Sequence, residues 1–189
     1  MGMAAPHTDW TVERLQALPD DGNRYEIIDG ELLVTPAPSF DHQGLVMRLA
    51  MRLEAYLSLH RVGYVRIAPG DVILDSRTLV QPDVFVVPPV DGRRPRSWSE
   101  APTPMLAIEV LSPSSARADR VRKRDLYRRA GVAEYWIVDP EARVIERWRP
   151  GEDRPEILSE RIAWAPAGVD AAEPMTIELA EFWREVFEG

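Results

Sequence analysis

A chain of 189 residues with 45% apolar content suffices for one hydrophobic core, and its net charge of −8 argues against a surface that is basic all over. Cysteine is absent, which excludes disulfides, thiolate metal sites and a cysteine nucleophile. No run nears the roughly 18 uninterrupted apolar residues of a membrane span, the opening residues lack the regions of a secretory signal, and Pro6 stands where a myristoylation signal wants Ser or Thr; a cytoplasmic protein without a membrane partner is expected.

Residues 11–18 have the pattern of a short helix, with Thr8 or Asp9 as cap and Pro19 as stop. Residues 25–35 read as a hairpin, because Asp29-Gly30 is a favoured two-residue turn between apolar runs. Ser39 can cap a long helix reaching about His60, in which Leu45, Val46, Leu49, Leu53, Tyr56 and Leu57 recur at helical spacing; Gly63 is expected to break it. Extended segments follow at 64–68, 71–74 and 83–87, then a proline-rich, basic connection over 88–104. Residues 105–111 form a strand too apolar to face water, and Ser112-Pro113-Ser114-Ser115 leads into a helix over about 116–130 that stops at Gly131. A second hairpin joins 134–138 to 143–149 around Asp139-Pro140, and the tail ends in a short helix near 179–187. This order predicts a mixed α/β (α+β) fold in one domain over 1–189, with its core at about 10–150 and 151–189 packing on it as an extension. Trp164, Phe182 and Trp183 in that tail either close the core or pack a homodimer.

Three residues carry the chemistry. In the strand 105–111, Glu109 shares a face with Met105, Ala107 and Leu111, since strand side chains alternate. A carboxylate among such neighbours is costly unless paired, protonated or bound to a metal. A buried ion pair with an arginine and a metal-ligand or acid–base role both remain open. Asp83 begins its strand just after Pro82, which holds the chain extended. Two carboxylates at the ends of adjacent strands can share a hard cation such as Mg²⁺.

Lys123 is the sole lysine among 23 basic residues. Coding bias accounts for the excess of arginine, but lysine also does what arginine cannot, as a compact charge whose pKa can move. Asp119, Lys123, Leu126 and Ala130 fall at i, i+4, i+7 and i+11, one stripe of the helix, so Lys123 is expected to point inward. The plain alternative is a surface pair with Asp119, worth a few tenths of a kcal/mol. Arg117, Arg120, Arg124 and Arg128 form a separate stripe suited to solvent or phosphate, and Arg93, Arg94 and Arg96 cluster in the proline-rich connection. His42, on the stripe with Leu45, Val46 and Leu49, is either a core histidine or a site contact.

Gln81-Pro82-Asp83, Ile108-Glu109-Val110-Leu111-Ser112-Pro113-Ser114, then Asp119, Lys123 and Tyr127, then Gly131-Val132-Ala133-Glu134-Tyr135-Trp136 with Asp139-Pro140, resemble the Uma2 family of restriction-type endonucleases in the PD-(D/E)XK superfamily. Tyr25-Glu26-Ile27-Ile28-Asp29-Gly30 and Ser39 with His42 look like its N-terminal pattern, so the resemblance spans about residues 10–187. It implies a restriction-endonuclease-like core, a mixed central sheet flanked by helices with hairpins added at both ends. Asp83 and Glu109 match the motif's acidic residues and would hold one or two Mg²⁺ (or Mn²⁺) ions. The superfamily's lysine would stand two residues after the acid, where this chain has Leu111; the family looks as though that role has moved to the next helix, at Lys123. Glu26 is implied as a further site contact.

The expected activity is metal-dependent hydrolysis of DNA phosphodiester bonds, with Asp83, Glu109 and Lys123 as catalytic residues and His42 and Glu26 beside them. Arg93, Arg94, Arg96, Arg117, Arg120 and Arg124 are the candidate phosphate contacts. Two other readings use the same residues: a nuclease-fold module that binds nucleic acid or protein without cutting, and a metal-free hydrolase working with paired carboxylates, such as a glycosidase. A two-fold pair of chains would suit cleavage of both strands.

Overall fold

The computed structural model describes residues 9–19, 21–35, 37–113, 115–166 and 173–188. A six-stranded sheet forms the centre, with strand β3 (Tyr64–Ile67), β6 (Val84–Val87), β7 (Leu106–Val110), β8 (Glu134–Asp139), β9 (Val144–Trp148) and β10 (Glu156–Leu158). Its spatial order is β10-β9-β8-β7-β6-β3. Every pair in it is antiparallel except β7 with β8, where Glu109 stands opposite Ile137. Parallel neighbours need a crossover, and here the helical segment 118–129 supplies it.

Alternation along the strands gives the sheet two faces. Val84, Val86, Leu106, Ile108, Val110, Trp136 and Val138 point to one, against the long helix α2 (Phe40–His60) and the C-terminal helix α4 (Leu179–Phe187). Trp164, Phe182 and Trp183 are buried in this cluster, so within the chain these tail residues close the core. Phe85, Ala107, Tyr135 and Ile137 point to the other face, against Leu126 and Tyr127 of helix α3 (Arg124–Arg129) and against a second sheet. That sheet has the order β2-β1-β5-β4, from β1 (Arg24–Ile28), β2 (Glu31–Thr35), β4 (Val72–Asp75) and β5 (Thr78–Val80). The pair β11 (Arg161–Trp164) and β12 (Met175–Glu178) completes the strands, and the short helix α1 (Val12–Gln16) precedes them. The fold is mixed α+β, as the element order predicts, and it has the mixed central sheet flanked by helices that the resemblance implies.

Local chemistry explains most boundaries. Asp29 and Gly30 both have positive φ, 52° and 84°, the backbone of a tight hairpin turn. Ser39 caps α2 by accepting a hydrogen bond from the His42 amide at 3.2 Å.

Several expectations need correcting. Helix α1 is capped by Thr11, whose side chain accepts from the Arg14 amide, and not by Asp9; Thr8 lies outside the described residues. Helix α2 ends at Arg61 in the left-handed region, φ 56°, and not at Gly63. Gly63 serves packing instead: a Cβ there would stand 2.8 Å from Met105 Cε and 3.1 Å from the Val87 carbonyl. Strand β5 is too short, at three residues, to leave a periodic signal. The helix expected over 116–130 is not uniformly α-helical, because Ala118–Lys123 form a wide π turn before α3.

Candidate active site

Strand β7 and the residue before β6 bring Glu109 and Asp83 to one end of the central sheet. There the π turn crosses β7, α2 begins, and the second sheet leans in with Glu26. Together they line a cavity of about 520 Å³ that also takes in Arg24, His42, Asp119 and Lys123. Glu26, Asp83, Glu109, Asp119 and Lys123 are all buried.

Lys123 lies at the centre of the acids. Its Nζ donates to Glu109 Oε1 at 2.9 Å and pairs with Glu26 Oε2 at 3.0 Å, while Asp119 Oδ1 lies at 3.7 Å. The inward orientation expected from the helical stripe is found, and the surface-pair alternative is not. The Glu109 partner is this lysine rather than an arginine. Tyr127 donates its hydroxyl to the same Glu109 Oε1 at 3.0 Å, and Glu26 Oε1 accepts from the Gln81 amide at 2.6 Å. Asp83 is held from three sides: Oδ2 accepts from the Val110 amide at 2.9 Å and meets His42 Nε2 at 3.1 Å, and Oδ1 lies 3.4 Å from Arg24. His42 thus touches Asp83 from the first turn of α2, which the Ser39 cap holds.

Burial sets the electrostatics. It pushes the Glu109 carboxyl well above its usual range, helped by Asp119, Asp83 and Glu26 and opposed by Lys123. Burial raises Asp119 in the same way. For Asp83, burial is outweighed by His42, the Val110 amide and Lys123, and its value falls below normal. Burial alone would discharge Lys123, but Glu109, Glu26 and Asp119 more than offset it and raise its pKa, so the ammonium stays charged.

Two members of this cluster, Arg24 and Asp119, are not site residues by sequence reasoning. Arg24 lies two residues before Glu26 in β1, and the alternation that places Glu109 also puts these two on one face. Asp119 shows in the sequence on the Lys123 stripe and among the residues of the Uma2 resemblance, with no role of its own beyond a pair with Lys123. The arginines behave less uniformly than their stripe suggests. Arg120 is engaged by Glu146 at 2.8 Å and Asp139 at 2.7 Å, and Arg124 by Asp125, with its guanidinium 4.9 Å over Trp148. Arg93, Arg94, Arg96 and Arg117 are exposed.

A family model described as "Putative restriction endonuclease", Uma2, matches residues 12–178, most of the chain. This protein belongs to the Uma2 family. Among solved structures, the chain is similar to a "putative nuclease belonging to DUF820" from Anabaena variabilis, with a TM-score of 0.76, 16% identity, and coverage of 94% of this chain and 99% of that one. At that identity the likeness speaks for the fold alone. "Uncharacterized protein sll1609" of Synechocystis is 27% identical over 152 residues, covering 78% of this chain and 84% of its own. Membership in Uma2 supports action as a nuclease on nucleic acid. Among the described residues, no helix is long and apolar enough to cross a membrane.

Proposed function

We propose that this Uma2 protein is a metal-dependent endonuclease that hydrolyses DNA phosphodiester bonds, with Asp83, Glu109 and Lys123 as its working groups. The observation that carries the proposal is the Lys123 ammonium, 2.9 Å from the Glu109 carboxylate in a cavity that Asp83 also lines.

The donor set fits a divalent cation. The buried carboxyl groups of Glu26, Asp83, Glu109 and Asp119 line one cavity with Lys123 and Arg24, an oxygen-rich donor set in which burial disfavours the charged forms of Glu109 and Asp119 and a bound cation would favour them. Among the described residues, no three His, Cys, Asp or Glu side chains come together as a ready-made cage. A hard cation such as Mg²⁺ does not need one: it commonly binds through one or two carboxylates and completes its shell with water and substrate phosphate. Restriction-endonuclease-like enzymes generally use divalent metals. Asp83 and Glu109 would hold the ion, which when bound polarises the phosphate and lowers the pKa of water.

The protein's own groups do the rest. Lys123 stays charged, so it acts as an electrostatic stabiliser of the charge growing on phosphate oxygens, not as a base. Glu26 and Tyr127 keep the ammonium and Glu109 in register, and His42 and Arg24 fix the Asp83 carboxylate. Exposed Arg93, Arg94, Arg96 and Arg117 are suited to phosphate contacts that position DNA without reading sequence.

A single-turnover assay on plasmid and single-stranded DNA with Mg²⁺ or Mn²⁺ tests this. Cleavage is expected to vanish in Glu109→Ala and Lys123→Ala; unchanged rates in both would overturn the assignment. A binding module that kept the fold without cutting is the rival, favoured by the engagement of Lys123 with two carboxylates. Calorimetric titration with Mn²⁺ separates them: an intact site binds and loses binding in Asp83→Ala, whereas a degenerate one binds in neither. Cleavage of both strands would suit a homodimer, whose stoichiometry sedimentation measures.

A further inference from the structure

Asp119 has no task in the proposed chemistry, yet it is among the most buried charges of the molecule, at 1% exposure. The Ser115 side chain, one turn back, favours its charge. Among the described residues, however, no hydrogen bond of ordinary geometry reaches either carboxylate oxygen. Such a group is expensive to bury. Its nearest cation is the Lys123 ammonium at 3.7 Å, inside ion-pair range and outside hydrogen-bonding range.

The ammonium has three N–H donors. Glu109 accepts one of them at 2.9 Å, and Glu26 forms an ion pair with the ammonium at 3.0 Å. For a remaining N–H, Asp119 is the next carboxylate available. The backbone holds this acceptor in place: the Asp119 carbonyl accepts from Arg124 across the π turn and from the Tyr135 hydroxyl at 3.2 Å. Such turns inside helices occur frequently at functional sites.

We propose that Asp119 is a positioning residue for Lys123, a second seat toward which the ammonium turns when Glu109 is engaged elsewhere. Glu109 Oε1 already accepts from Lys123 and Tyr127. Once Glu109 is turned to a divalent cation, its pull on the ammonium weakens and two positive charges crowd one carboxylate. A shift of under about 1 Å then closes the gap to hydrogen-bonding distance, while Glu26 keeps its contact. The displaced ammonium remains charged and aimed into the cavity. This inference rests on the proposed cation site.

The chain's single lysine makes the test clean. In protein labelled with ¹⁵N-lysine, one Nζ resonance reports Lys123 alone. Addition of Mg²⁺ is expected to move that resonance in the native protein and to leave it unmoved, or broadened by faster exchange with water, in Asp119→Asn. Asp119→Asn is further expected to bind Mn²⁺ with native affinity by calorimetry and native KM, while kcat falls about 10- to 100-fold, the usual cost of losing an orienting partner. Mn²⁺ affinity lost as in Asp83→Ala would make Asp119 a ligand and overturn the inference, and so would a native kcat. The native protein suffices if the variant does not fold: a Nζ signal blind to Mg²⁺, in protein that calorimetry shows to bind it, removes the second seat alone. Absence of any Mn²⁺ binding by the native protein removes the cation site as well.

Discussion

Glu109 and Asp83 share one cavity and yet should titrate in opposite directions. Burial raises Glu109, so the folded state takes up protons between the unfolded value, about 4.3, and the higher folded one. Its contribution is therefore most favourable in acid and declines as pH rises through that window. Glu109→Gln should abolish cleavage, and its Tm relative to the native protein should be higher at pH 7 than at pH 4. Calorimetry at both pH values measures it, and an equal fall at both would mean that the Lys123 pair makes Glu109 a net stabiliser. Asp83 behaves conversely. Its folded value lies below the ordinary 3.8 because burial is outweighed by His42 and the Val110 amide, so its contribution is present above 3.8 and lost as pH falls through the folded value. Asp83→Asn should cost about 1–3 kcal/mol at neutral pH, a deficit that closes in acid.

At the scale of elements, stability and catalysis are joined at the start of α2. Ser39→Ala removes a cap worth about 1 kcal/mol and loosens the turn that holds His42 against Asp83, so activity should fall together with Tm. Gly63 tests packing without touching the site. Its added Cβ would meet Met105 Cε at 2.8 Å and the Val87 carbonyl at 3.1 Å. A side chain can give way but backbone cannot, and Gly63→Ala should destabilise by about 1–3 kcal/mol with kcat unchanged, as urea unfolding and a rate assay would show. The π turn illustrates the limit of periodicity. Asp119 and Lys123 face inward in either kind of helix, so the residue pattern reads correctly while the backbone that fixes their separation stays hidden.

For the whole molecule, the question is how a chain of net charge −8 meets a polyanion. Four of the five acids buried among the described residues line the cavity, and part of the chain's basic surface is already engaged, as with Arg120 between Asp139 and Glu146. Exposed Arg93, Arg94 and Arg96 are not neutralised to the same degree; the ion pair of Arg93 with Asp91, at 3.8 Å, is solvent-exposed and weak. Replacing all three by alanine should weaken DNA binding with little regard to sequence and flatten its salt dependence by about one unit of slope for each phosphate released. Filter binding at several salt concentrations measures that slope, and a slope equal to the native one would place the DNA elsewhere.

From the residues alone, alternation and helical spacing determined which side chains face inward: Glu109 with Ala107, Lys123 with Leu126, and α2 with its apolar stripe. These periods are local properties of the backbone, so they survive without knowledge of neighbours. Tertiary structure decided who the neighbours are. That Lys123 answers Glu109 rather than an arginine, that Glu26 and Arg24 arrive from a second sheet, that the tail's aromatics close the core, and that Asp119 is left short of a partner all depend on segments far apart in the chain. Spacing along the chain carries no information on such meetings, because they are selected by the shared burial of two sheets and their helices.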